Sequence, residues 1–270
     1  MKCSIEELIV VDIAHTIKDG EVGFTGLATG GAAAVYITSI PLAAMELAKR
    51  THAPNLTILL SGWLFNPDLN KLERLPESEF DNYMMELSCE AQMLDYPGNW
   101  AHKAGDISFG FGSGAQVDKE GNMNSAYIGE IDSPKVQLVG PILLPEHMAY
   151  FGREYIMMPR HERRNFVEKV DHISGVGFPG GREGRRRLGL TGGGPAYIYT
   201  PKCVFSFKDD GSIYVKSIHP GVSKEDVIQS TGFDVGDLDD VPITKEPTSE
   251  ELRILRDEID PNGILLNTSN

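Results

Sequence analysis

The arrangement that most constrains the fold is a short strand pattern, a glycine-containing loop and an apolar helix pattern in direct succession. Glu21–Thr25 reads as a strand, Gly26-Leu-Ala-Thr-Gly-Gly31 as the loop, and the alanine-rich run after it becomes helical by Pro41–Arg50. This is a βα unit, the building block of sheets whose strands run parallel. Leu56–Leu60, bounded by Pro54-Asn55 and Gly62, reads as the next strand, because a strand covered on both faces is continuously apolar. Ile107–Phe111 repeats the pattern and runs into Gly112-Ser-Gly-Ala-Gln-Val-Asp118. Strands separated by helices predict an α/β fold with an open mixed or parallel sheet flanked by helices. No break in composition divides residues 1–270, so a single domain is expected.

Other elements have local signals. Ser4 with Glu7 forms a capping box that starts a helix expected to reach about Lys18, before Gly20, and Thr248 with Glu251 forms a second one for a helix to Asp260. Short strands are predicted near Ala126–Ile128, over Tyr155–Met158 and over Val170–Ser174, with a turn at Gly121-Asn-Met-Asn124. Ala196–Phe207 and Ser212–Ile218 flank Asp209-Asp-Gly211 as a hairpin, and Ser223–Gly232 reads as a capped helix. Pro67–Met93 reads as loops and short helices, and Gly175–Gly194, rich in glycine and arginine, as an irregular, flexible loop.

Charge excludes some partners. With 39 acidic against 25 basic side chains the formal charge is −14, the wrong sign for a nucleic-acid groove or for anionic lipid. Cys3, Cys89 and Cys203 lack metal-ligand spacing and read as reduced thiols of a cytoplasmic protein. No segment is expected to span a membrane. His161-Glu162 begins like a zincin motif, but Asn165 stands where the second histidine belongs, so no metal is expected. Arg182-Glu-Gly-Arg-Arg-Arg187 offers guanidinium forks that match phosphate oxygens. Two glycine-rich loops follow strands, where α/β sheets bind ligands, yet Gly26–Gly31 does not match a P-loop and Gly110-Phe-Gly-Ser-Gly114 lacks dinucleotide spacing.

Several motifs stand in one order: Gly114-Ala-Gln-Val-Asp118, Gly121-Asn-Met-Asn124, Tyr155-Ile-Met-Met158 with His161-Glu-Arg-Arg164, Gly180-Gly-Arg182, Arg187-Leu-Gly189, Thr231-Gly-Phe-Asp234 and Arg256-Asp-Glu-Ile-Asp-Pro261. Over nearly the whole chain this series resembles the B subunits of family I CoA-transferases of the glutaconate type. The resemblance implies the sugar-phosphate-isomerase-like CoA-transferase fold and a homologous A subunit in an α2β2 or larger assembly. It also implies coenzyme A as a substrate moiety, with no tightly bound cofactor. Gly112, Ser113, Gly114, Ala115 and Gln116 would line the CoA thioester pocket, the loop amides serving as donors to its oxygen. Gln116 and Asp118 also read as residues that fix the loop, and Asn122 and Asn124 as turn residues tolerant of left-handed backbone. Cys89 and Glu90 lie where the match is poor.

In transferases of this family a glutamate at the end of a strand, just before Ser-Gly, attacks the acyl-CoA carbonyl, which is covalent catalysis by a carboxylate. Here the place reads Leu59-Leu60-Ser61-Gly62. Leu60 stands at the glutamate position and cannot attack a thioester. Its neighbours Leu59 and Ser61 do not restore the acid, and the nearest one downstream is Asp68. The resemblance extends to heteromers that lack this glutamate and hydrolyse or decarboxylate acyl-CoA substrates. The leading expectation is therefore a B subunit, active only with its A subunit, that promotes hydrolysis, C–C cleavage or decarboxylation. The alternatives are a true transferase whose glutamate comes from elsewhere, and a non-catalytic CoA-binding or structural subunit.

Overall fold

The computed structural model describes residues 3–28, 30–92 and 106–266. Thr29 in the first glycine loop and Met93 at the end of the predicted loop segment lie outside them. The chain divides into two compact units, residues 1–111 with 245–270, and residues 112–244.

The first unit is built on β1 (Val22–Thr25), β2 (Thr57–Leu60), β3 (Leu64–Pro67), β4 (Cys89–Gln92) and β5 (Phe109–Gly112), in the order β5-β1-β2-β3-β4. β5, β1 and β2 are parallel, with Thr25 level with Phe111 on one side and Leu60 on the other. β3 and β4 continue antiparallel. Ile58, Leu59 and Leu60 are buried, as continuous apolarity requires of a covered strand. Residues 67–93 were read as loops and short helices, yet Cys89–Gln92 is a strand. It is an edge strand with partly exposed side chains, so it lacks the apolar pattern that would announce it.

Helix α1 (Ile5–Ala14) starts at the predicted box, Ser4 Oγ accepting from the Glu7 amide and Glu7 Oε2 from the Ser4 amide. It ends four residues before the expected Lys18. Helix α2 runs continuously over Gly31–Thr51 with a π-helical stretch at Val35–Ser39. The irregularity has a covalent cause. Pro41 has no N–H to give the Ile37 carbonyl, and the Thr25 hydroxyl at the end of β1 donates to that carbonyl instead, at 2.5 Å. α2 has the length and composition of a membrane span, contrary to the expectation that no segment does. Its most apolar stretch is 61% buried inside the protein, and its second half packs on α1, as a core helix does.

The second unit holds β6 (Gln116–Asp118), β7 (Met123–Asn124), β8 (Tyr127–Glu130), β9 (Ser133–Gln137), β10 (Glu154–Met157), β11 (Phe166–Val167), β12 (Pro195–Tyr199), β13 (Cys203–Phe207) and β14 (Ile213–Ile218). β10 and β12 are parallel, and β12, β13 and β14 antiparallel. β11, β6 and β7 form a small sheet, and β8 and β9 a hairpin. Helices α3 (Leu144–Tyr150), α4 (Gly181–Arg187) and α5 (Lys224–Ser230) complete the unit. Its core gathers Met123, Leu144, Met148, Ile156, Phe166, Phe178 and Phe205.

Three local readings are corrected. Ala196–Phe207 is two strands joined at Thr200–Lys202. Val170–Ser174 is not a strand, because the amides of Val170 and Asp171 donate to the side chains of Asp118 and Gln116 rather than to a ladder. Gly175–Gly194 contains α4, and the buried Arg185 ties that helix to the backbone around it.

Candidate functional site

At the carboxyl edge of β2 the chain turns straight back into β3. The Trp63 amide donates to the Leu60 carbonyl at 3.0 Å, and both residues between them have positive φ, Ser61 at 56° and Gly62 at 73°. Two left-handed residues are what a tight hairpin turn demands. Glycine accepts that backbone freely, whereas a residue with a Cβ is strained there. Leu60 is fully buried, pairing with Leu64 and level with Thr25. Ser61 is 9% exposed; its amide donates to the Thr25 carbonyl at 2.7 Å, and its hydroxyl donates to Glu79 Oε1 at 2.8 Å. Leu60, Ser61 and Gly62 thus form one turn, and the structure adds to it a carboxylate from a loop 18 residues downstream. Glu79 had no sequence signal, since it sits in an acidic loop without periodicity and is brought in by the fold of residues 72–82.

The predicted thioester loop lies in the second unit. A Cβ on Gly112 would stand 2.6 Å from Glu154 Oε1, and one on Gly114 would stand 2.7 Å from the Asn124 carbonyl, so both glycines are set by close packing. The Ala115 amide already donates to the Asn124 carbonyl at 2.7 Å, and the Ala115 carbonyl accepts from Asn165 Nδ2 at 2.9 Å. That amide is spent, contrary to its expected role as a donor to a thioester oxygen. Ser113 lies beside it, half-buried. Gln116 is buried, and its Oε1 accepts from Asn124 Nδ2 at 2.8 Å and from the Asp171 amide at 3.0 Å. Asp118 accepts from the amides of Glu120 and Asn122, from Asn122 Nδ2 and from the Val170 amide. Burial pushes its carboxyl up against those bonds. Gln116 and Asp118 therefore fix the loop as expected, whereas Asn122 and Asn124, read as left-handed turn residues, have negative φ and serve through side-chain hydrogen bonds instead.

Beneath that loop lies an acid that sequence reasoning missed. Glu154, on β10, is fully buried, and neither carboxyl oxygen accepts a hydrogen bond among the described residues. His147 Nδ1 stands 3.5 Å from its Oε1, and the imidazole stacks on Phe151 with centroids 4.5 Å apart. Burial pushes the Glu154 carboxyl above its ordinary value, with His147 pulling the other way. A single charged residue opening an apolar strand gives no warning of this in the sequence.

The remaining candidates are structural. His161 is sandwiched between the hydroxyls of Thr200 and Thr231, each at 3.0 Å, with Phe166 against its ring at 4.2 Å. Burial holds it down to about 3, so it is neutral. Cys203 is buried and its thiol is pushed up to about 12, which makes it inert. Glu90 accepts from Asn66. Arg185 is buried; its Nε donates to the Gly192 carbonyl, Nη1 to those of Val176 and Gly177, and Nη2 to that of Met148. Arg182 stacks on Phe178 at 4.7 Å, and Arg186 and Arg187 are exposed. A cavity of about 610 Å³ lies in the first unit beside Val22 and Thr57, the first residues of β1 and β2. That is the amino edge of the strands, opposite the Ser61 turn.

No family model matches the chain. It is 32% identical to the B subunit of 3-oxoadipate CoA-transferase from Pseudomonas knackmussii, over 94% of this chain and 92% of that one. It is also 32% identical to the B subunit of glutaconate CoA-transferase from Acidaminococcus fermentans, over 95% and 92%. The crystal structure of the latter enzyme superposes with a TM-score of 0.77, covering 98% of this chain and 97% of that one. Over 55% of this chain and 58% of the relative it is 31% identical to the cholesterol ring-cleaving hydrolase IpdB subunit of Rhodococcus jostii. The decarboxylase AibA/AibB superposes with a TM-score of 0.75 at 25% identity, covering 97% of each chain.

Proposed function

This chain belongs to the CoA-transferase family as a B subunit, and from that premise we propose that it is half of an enzyme that hydrolyses, cleaves or decarboxylates an acyl-CoA instead of exchanging CoA between acids. Relatives of this family include transferases, a hydrolase and a decarboxylase, so membership leaves the reaction open. The observation that carries the reading is Leu60. At the strand end where the family resemblance places a nucleophilic glutamate, this chain has an isobutyl group with 0% exposure, and no one-residue slip brings a carboxylate to that place. An alkyl group can neither form an acyl anhydride nor carry CoA as a thioester. It does exclude water from whatever lies against it, which strengthens nearby electrostatic interactions.

The partner in this reading is a homologous A subunit, and coenzyme A is the carrier half of the substrate. Exchange and cleavage are separated by one experiment. The chain is co-expressed with the A subunit and offered glutaryl-CoA or acetyl-CoA with an excess of acetate labelled in its carboxyl oxygens. Free CoA, or an acyl-CoA shortened by C–C cleavage or loss of CO2, formed without labelled acetyl-CoA supports the reading. Rapid CoA exchange, together with a glutamyl-CoA adduct trapped by borohydride, establishes a transferase and overturns it. A complex that binds both thioesters and leaves them intact overturns it in favour of a non-catalytic subunit.

A further inference from the structure

We propose that Glu79, held by the Ser61 hydroxyl, is the general base that this chain contributes to thioester hydrolysis. The inference rests on the acyl-CoA reading above and narrows it to one reaction. It starts from the turn. Ser61 occupies a left-handed position, φ 56°, that glycine or asparagine would fill with less strain. An observed backbone outlier points to a role for the side chain that bears it. The side chain here is a hydroxyl, and it is committed to Glu79 Oε1 at 2.8 Å. Replacing Ser61 with glycine would relax the backbone and release the carboxylate.

Place and chemistry agree with this. Ser61 follows β2 at the carboxyl edge of a parallel set of strands, the edge at which α/β sheets bind their ligands. Ser61 is almost fully buried and Glu79 half-buried, so the pair has an anchored end and an end that solvent reaches. No ion pair to a Lys or Arg occupies the Glu79 carboxylate among the described residues. One oxygen is oriented by Ser61 and the other can accept a proton. The step balances with water alone. The water oxygen bonds to the thioester carbonyl carbon while its proton passes to Glu79, then the C–S bond breaks and the same proton passes to the departing thiolate, giving a carboxylic acid and CoA. Such proton transfer contributes typically 10²- to 10⁴-fold.

The test uses the complete complex with the A subunit and glutaryl-CoA as the probe. Glu79→Gln keeps the Ser61 hydrogen bond and should lower kcat by at least about 10²-fold. Glu79→Asp should recover part of the rate. Ser61→Ala, with the carboxylate intact but unaimed, should lower kcat more than it raises KM. Circular dichroism melting of each complex separates these effects from unfolding. A Glu79→Gln complex that is folded and retains the wild-type rate overturns the inference and leaves the acyl-CoA reading standing. A glutamyl-CoA adduct trapped at position 79 makes the carboxylate a nucleophile and overturns both. A wild-type complex that cleaves no thioester overturns the inference, and one that also breaks no C–C bond of an acyl-CoA overturns both.

Discussion

Replacing Arg185 with methionine separates the two meanings a basic cluster can have. In the sequence, Arg182–Arg187 is a run of guanidiniums suited to phosphate. In the structure Arg185 is 3% exposed, its charge is shared among the carbonyls of Met148, Val176, Gly177 and Gly192, and burial brings its pKa down to about 10. Methionine keeps most of the stem volume, so little cavity opens. The loss is then four carbonyls without their donor, at about 1 kcal/mol each, or about 4 kcal/mol together. At roughly 2–4 °C per kcal/mol for a chain of comparable size, Arg185→Met should melt roughly 8–16 °C below wild type. Arg185→Lys should fall between, because one ammonium cannot reach carbonyls on both sides of a planar fork. The assay is thermal unfolding by circular dichroism alongside KM for an acyl-CoA in the complex. A variant that melts within about 2 °C of wild type, on the order of the error in such reasoning, and shows a raised KM would return Arg185 to phosphate binding and refute the argument.

Glu154→Gln should flatten the pH dependence of stability. The folded carboxyl holds its proton to higher pH than the unfolded one, so stability is fully present below the unfolded pKa and falls as pH rises through the folded value. Urea midpoints measured across that window should show the difference between variant and wild type growing with pH, and a constant difference would deny the burial argument. Gly177→Ala should cost about 3 kcal/mol, because a Cβ there would lie 2.1 Å from the Glu120 carbonyl and 2.5 Å from the Gly121 carbonyl carbon, and backbone cannot swing aside. A soluble variant with an unchanged urea midpoint would contradict this. Leu60→Glu buries a carboxyl in place of a leucine and should destabilise the free chain by about 3 kcal/mol or more; in the complex it should gain borohydride-trappable CoA exchange. A folded variant that binds acyl-CoA without forming an adduct would show that more than this side chain separates the chain from a transferase.

What could be read from the sequence was whatever a regular period or a cap encodes. The run Leu56–Leu60 marks β2 because both of its faces are covered, and Ser4 and Thr248 mark helix starts because each hydroxyl meets an orphan amide three residues on. Readings failed where side chains took over the backbone's hydrogen bonding. The Val170 and Asp171 amides go to Asp118 and Gln116, so an apolar segment that looks like a strand is none. Arg185 gathers the carbonyls of a glycine-rich segment and fixes what composition alone presents as a flexible loop. Glu79 and Glu154 were invisible for a related reason. Each becomes significant only through a residue far away in the chain, Ser61 for one, His147 and Gly112 for the other.

The residues of the motifs that carried the family resemblance are bound into the frame of the fold. Gln116, Asp118, Asn122 and Asn124 tie one loop together, His161 and Thr231 bond each other in the core, and Arg256 clamps Glu7 at 2.5 and 2.7 Å across the first unit. Each of these motif residues satisfies a buried or half-buried polar group that would cost about 1–3 kcal/mol if left alone. They specify a frame. The position where the family resemblance places the glutamate, by contrast, is one side chain at the end of β2, held in place by a turn whose backbone hydrogen bonds do not depend on it. Exchanging a carboxylate for leucine there breaks no hydrogen bond of the frame. On the proposed reading, a chain can therefore keep the motifs of a CoA-transferase B subunit while its chemistry passes to a different acid at the same strand end.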